Sequence, residues 1–193
     1  MHFRRLACFL LGAWLAGGLF MAMVATQNFH SVDRLLAKPA PAAAEQLGKL
    51  RPEAARMLLR YQVGEQNRWY FETWGIAEVA IGAALLLILL FGSTENHFTL
   101  LLALLMLLIA VVQRSVLTPQ IVALGRVIDF VPAGQPSADR SGFWMMHTAF
   151  SGMEVLKWAL GFFLVARMLF RRKRRPADAD RDMEMVRREM DER

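Results

Sequence analysis

The sequence predicts an all-α protein, a four-helix transmembrane bundle, and three observations carry that prediction. First, four stretches are nearly free of charge: Leu6–Thr26 has 21 residues and none, and Thr73–Phe91 has 19 and one, Glu78. Phe98–Val112 has 15 and none, and Phe143–Ala166 has 24 and two, Glu154 and Lys157. A bilayer core about 30 Å thick needs roughly 20 apolar residues of helix. Second, aromatic residues mark the ends of these stretches, as they do at membrane–water interfaces. Third, the basic residues flank the apolar runs. A soluble globular domain and a disordered chain are excluded by those runs, and a disulfide scaffold by the single cysteine among 193 residues. The formal charge of +6 does not indicate nucleic-acid binding, which needs a soluble basic face with interleaved aromatics.

The spans fall at about 6–26, 70–91, 98–118 and 143–170. The first follows Arg4 and Arg5. Its length exceeds the roughly 7–15 residues of a signal-peptide core, and Met23 spoils a small-x-small cleavage site before Ala25, so it reads as retained. Gly12 and Ala16, and Ala13 and Gly17, are small residues four apart, which lets a second helix approach closely. Residues 27–68 read as a long connection broken at Pro39 and Pro41. Within it, Ala54, Met57, Leu58 and Tyr61 recur at helical spacing after Pro52, with Arg51, Arg56 and Arg60 elsewhere on the wheel. That pattern predicts an amphipathic helix lying at the interface.

Trp69, Tyr70, Phe71 and Trp74 mark the start of the second span, and Gly92–His97 is a tight turn to the third. Thr118-Pro119 should kink or end that span. Val131–Gly142 is a loop by its prolines and glycines, and Trp144 anchors the fourth span. Arg171, Arg172, Lys173, Arg174 and Arg175 then suit anionic lipid headgroups. The tail 176–193, with seven acidic and four basic residues, is polar. Basic residues near span ends divide eight to seven between the two faces. The pentabasic run decides for both termini in the cytoplasm, and for a multi-pass protein of a bacterial inner membrane. Partners left open are a second copy or another membrane protein.

The candidate site is a polar intramembrane cluster of Glu78, Arg114, His147, Ser151, Glu154 and Lys157. His147, Ser151 and Glu154 fall at i, i+4 and i+7 on one helical face, and Lys157 follows three after Glu154. Glu154 lies 11 residues past Phe143, about 16 Å along a helix and near the bilayer middle. A charge there should face the bundle interior and be paired. Glu78 and Arg114 approach from the second and third spans and suggest an ion pair. In a four-span chain the ends of spans one and three share a face with the starts of spans two and four. The site should therefore open toward the long-loop face, with Glu154 near its floor.

Three functions compete: a non-enzymatic membrane protein handling a small solute or ion, a scaffold whose charges lock helices, and a redox subunit binding haem or metal through His30 and His147. The third has no CxxCH, HExxH or cysteine pair behind it. No cofactor is expected. No nucleophile–base–orienter arrangement stands out, so no enzyme is expected either.

Gly12-Ala13-Trp14-Leu15-Ala16-Gly17-Gly18-Leu19-Phe20 resembles the opening span of the transmembrane protein 205-like proteins, domain of unknown function 4149. Thr118-Pro119 at the end of span three, and His147 followed by Ser151 in span four, fit the same pattern. The resemblance spans residues 6–170 and implies a small four-helix integral membrane protein. It implies no catalytic residues. The connection 27–68 and the tail depart from the pattern.

Overall fold

The computed structural model describes residues 2–92, 96–132, 135 and 137–170. The pentabasic run 171–175 and the tail 176–193 lie outside the described residues. Among those described, every regular element is helical: α1 (His2–Ala37), α2 (Pro41–Leu47), α3 (Pro52–Gly92), α4 (His97–Val112), a π-helical turn (Gln113–Leu117), α5 (Thr118–Ile128) and α6 (Ala138–Phe170). Among the described residues, three helical stretches are long and apolar enough to cross a membrane: Phe3–Ala37, Pro52–Gly92 and His97–Ile128.

Two helices run further than the sequence led one to expect. The connection 27–68 is mostly helix: α1 continues eleven residues past Thr26, and α3 begins at Pro52. The segment around Met57 and Tyr61 therefore does not form a separate interfacial helix. It is the first part of a continuous 41-residue helix that runs into the second span. At about 1.5 Å per residue, α1 and α3 reach roughly 54 and 62 Å, well beyond a 30 Å hydrocarbon core. Pro41 and Pro52 stand at helix starts, where a missing amide donor is harmless. The true break is short and falls at residues 38–40 and 48–51.

The extensions are held together as a hairpin. Asn28 donates to Asn67 Oδ1 at 2.7 Å, and Asn67 donates to the Ala25 carbonyl at 3.1 Å. Arg56 pairs with Asp33 at 3.2 Å, and the Arg60 guanidinium lies 5.2 Å from the Phe29 ring centre. Beside this hairpin, Phe130, two residues past the end of α5, packs against Tyr61 of α3.

The apolar core sits in the opposite half of the molecule. Leu11, Trp14 and Leu15 of α1 pack with Leu85 and Leu89 of α3, Ala103 and Met106 of α4, and Leu164 and Met168 of α6. Glycines set the spacing. A Cβ at Gly82 would fall 2.7 Å from the Trp14 ring, and one at Gly17 would strike the Trp74 ring, so α1 and α3 each seat a tryptophan on the other's glycine. A Cβ at Gly161 of α6 would fall 2.5 Å from Leu15. Small residues allow this close approach, which drives helix association where lipid is the solvent. The outer surface is apolar as well: Phe9, Phe20, Leu87, Leu101, Phe162 and Phe163 are all more than half exposed. A water-facing surface would not carry so continuous an apolar coat.

Pro119 does not end the third span. The π-helical turn precedes it, and the chain passes into α5 without a break. A π turn carries one extra residue and closes i to i+5 hydrogen bonds. The Gln113 carbonyl accepts from the Thr118 amide and, at 2.8 Å, from the Thr118 hydroxyl as well. Asn96 caps α4 with its side chain, accepting from the Thr99 amide at 3.2 Å.

Candidate functional site: a buried ion network beneath a cavity

Each long helix contributes to one polar cluster. Lys157 of α6 is 1% exposed and uses all three ammonium donors: to Glu78 Oε1 at 2.7 Å, Glu154 Oε1 at 2.6 Å and Gln113 Oε1 at 3.0 Å. Glu78 also accepts from the Trp14 indole N–H at 3.0 Å. The Gln113 amide group donates to Glu154 Oε1 at 3.3 Å and to the Phe150 carbonyl at 3.1 Å. These bonds fix the sense of the Gln113 amide, since its oxygen meets the ammonium and its nitrogen meets two acceptors.

Local structure explains the placement. Lys157 follows Glu154 by three residues, so both lie on one face of α6. Gln113 opens the π-helical turn and is 1% exposed. Trp14 reaches Glu78 because Gly82, one turn further along α3, leaves room for its ring.

The network does not balance its charge. Two carboxylates share one ammonium, so the fully ionised cluster carries one net negative charge in an apolar interior. One atom is also left over: Glu154 Oε2 is buried and has no hydrogen-bond partner among the described residues. It faces α1 at Gly18, where a Cβ would come within 3.6 Å of it and within 3.1 Å of Trp158 Nε1.

Glu154 also lines a cavity of about 440 Å³ between α1, α3, α5 and α6. Its walls are mostly apolar and rich in aromatics: Phe29, Phe71, Trp74, Phe143, Phe150 and Trp158. The Trp74 indole nitrogen is buried without a partner among the described residues. Trp158 and Glu154 meet α1 at Gly18, and α1 and α6 touch again below at Leu15 and Gly161. Arg68 and Phe29 lie at the other end, toward the long-loop face. Along the side, Ala22 and Thr26 of α1 and His147, Ser151 and Val155 of α6 are both cavity wall and exposed surface. The cavity thus also opens sideways, between α1 and α6.

Of the six residues predicted for the site, three meet directly: Glu78, Glu154 and Lys157. His147 and Ser151 line the cavity above them, with Ser151 Oγ 3.5 Å from His147 Nδ1. His147 stacks on Trp144 at 5.7 Å. Arg114 does not pair with Glu78 as anticipated. Its aliphatic stem lies over Gly75 of α3, and Lys157 takes its place at the carboxylate. Trp14 and Gln113 went unrecognised as network members. His30 is exposed and is not part of the cavity wall that holds His147. No group of three or more histidine, cysteine, aspartate or glutamate residues among those described is arranged to hold a metal.

A second ion network lies at the outer end. Arg68 donates to Glu65 and, at 2.6 Å, to Asp129, while Arg126 reaches Glu65 at 3.1 Å. Here two carboxylates meet two guanidiniums. Gly125 gives Arg68 its space, since a Cβ there would fall 3.1 Å from the guanidinium. Compared with known proteins, the chain matches no family model, no curated protein and no solved structure.

Proposed function

We propose that this protein is a four-span integral membrane protein whose inner network binds and releases a proton at Glu154. The observation that carries the reading is the surplus carboxylate: two buried carboxylates share one ammonium, and the spare oxygen of Glu154 faces a cavity. An uncompensated charge in the hydrocarbon layer is expensive, and a proton is the smallest partner that removes it. The cavity supplies the route by which a proton or small solute reaches that oxygen.

In this reading α6 is the fourth crossing. Its charged residues Glu154 and Lys157 turn inward, and Phe162, Phe163 and Leu169 are exposed toward lipid. Both termini lie on one side, with residues 171–175 at anionic headgroups. The protein is not an enzyme, and the site needs no cofactor.

Infrared titration of the purified protein in lipid nanodiscs tests the proton site. A carboxylic-acid signal that titrates in the wild type should vanish in Glu154→Gln and persist in Ser151→Ala. If no carboxyl titrates, or the signal survives Glu154→Gln, the network is a helix lock and the protein a scaffold. Cysteine labelling from each side at His2→Cys and Met185→Cys, in a Cys8→Ala background, tests the topology. Labelling from opposite sides would overturn an even number of crossings.

A further inference from the structure

The cavity combines features that select a ligand class. Its inner end presents a carboxylate oxygen with no partner among the described residues. Its walls hold Phe71, Trp74, Phe143, Phe150 and Trp158, whose ring faces attract cations as well as apolar groups. At 440 Å³ it falls within the range that encloses drug-sized molecules. The side opening between α1 and α6 connects it to the layer in which hydrophobic solutes concentrate.

We infer that this cavity binds a hydrophobic organic monocation, its charge set against the Glu154 carboxylate and its apolar groups against the aromatic walls, in competition with a proton. The inference rests on the proton-site reading and names what exchanges with the proton there.

Charge complementarity separates the alternatives. The groups around Glu154 are Lys157 of its own helix, Glu78 of α3 and the neutral Gln113 amide. His147 lies seven residues earlier on α6. The cavity walls contributed by α1 and α5 carry no charged residue. Arg68 at the outer end is already matched by Glu65 and Asp129. An anion would therefore face a net negative inner end, with no unmatched cation among the described residues that line the cavity. A neutral solute would leave the surplus charge where it is. An organic cation neutralises it and, unlike a small metal ion, needs no cage of oxygen ligands, of which Glu154 offers one.

Gly18 is the position from which the site can be closed. It lies opposite Glu154 Oε2 and Trp158, so a leucine there would project over the carboxylate.

The experiment measures equilibrium binding of radiolabelled tetraphenylphosphonium to purified protein in detergent. Tetraphenylborate, its anionic near-isostere, serves as the control. The wild type should bind the cation at one site and ignore the anion. As pH falls through the proton uptake of Glu154, binding should weaken by up to about tenfold per pH unit, as competition for one site requires. Glu154→Gln should lower affinity at least about tenfold, the scale of a single lost charge pairing. Gly18→Leu should abolish binding. If that variant does not fold, Ser151→Leu at the cavity edge takes its place with the same expectation. Equal binding of cation and anion, binding independent of pH, or full binding by Glu154→Gln each overturns the inference. A titrating Glu154 without cation binding also overturns it and leaves the proton reading standing. Glu154-dependent cation binding without a titrating carboxyl leaves a cation at Glu154 but removes the proton reading and, with it, the competition, and so overturns the inference as stated.

Discussion

The protein contains two ion networks built from similar residues in different solvents. The outer one, Glu65, Arg68, Arg126 and Asp129, pairs two carboxylates with two guanidiniums; Arg68 and Asp129 are each 13% exposed, and Glu65 and Arg126 meet water at 31% and 59%. The inner one, Glu78, Glu154 and Lys157, pairs two carboxylates with one ammonium, and its side chains are 1–15% exposed. Where water reaches, a charge can be satisfied by solvent, and pairing adds little. Where water is excluded, each charge must be met by a partner, and a surplus has consequences. The comparison teaches that balance, not the number of salt bridges, separates a structural cluster from one able to exchange an ion.

Removing Lys157 gives the largest expected effect. Lys157→Met leaves two carboxylates buried without a cation, and loss of one partner from a buried pair costs about 3–5 kcal/mol. Thermal unfolding in detergent should show the loss, and Lys157→Met combined with Glu78→Gln should recover part of it. If the single variant is as stable as wild type, the inner network contributes nothing to holding the helices together.

Next comes Gly82→Leu. Its side chain would occupy the space of the Trp14 ring and pull the indole from Glu78. Overpacking of this kind costs about 1–3 kcal/mol. Trp14 fluorescence, read in a background where the other tryptophans are phenylalanine, should report the displacement. An unmoved spectrum would mean that the ring seat is looser than the contact implies.

Asn67→Ala should cost about 1 kcal/mol, since it removes two hydrogen bonds to α1 and leaves Asn28 able to turn to water. Hydrogen exchange should rise at the far ends of α1 and α3 and not in the core half. Uniform acceleration would show that the hairpin extension does not open by itself.

The smallest effect belongs to Arg126→Gln, which should leave the melting temperature nearly unchanged. Raising salt should weaken the outer network and spare the inner one, because screening acts on solvent-exposed charge. A comparable salt response from both would erase the distinction drawn between them.

Much of this arrangement was legible in the sequence, and the remainder failed for identifiable reasons. The charged residues in apolar runs, Glu78, Glu154 and Lys157, declared themselves because such charges are costly unless paired. Arg114 was misassigned as the partner of Glu78 because counting turns from a membrane face fixes depth but not which side of a helix a residue occupies. Gln113 was passed over because, within a span drawn to residue 118, an uncharged amide carries no charge that has to be paired. Trp14 entered only as part of the motif that carries the resemblance, although its indole N–H had to find an acceptor if buried. The extensions of α1 and α3 were taken as connection because Pro39, Pro41 and the polar residues near them looked like a break. Helical spacing from Met57 to Tyr61 was the signal that the chain continued as helix. The π-helical turn has no signature in residue type, beyond a proline within a helix that must be accommodated somewhere.

That turn matters for how the chain can vary in length. Gln113–Leu117 is a place where one residue has been added to a helix without lengthening a loop. Winding these residues as ordinary helix, with none removed, would turn everything before the turn by about 100° relative to everything after it. Gln113 would swing away from Lys157 and Glu154, while Thr118 and Val122 kept their places in the cavity wall. Within a continuous 32-residue stretch, the register of one short turn decides whether the two halves of the helix address the same site.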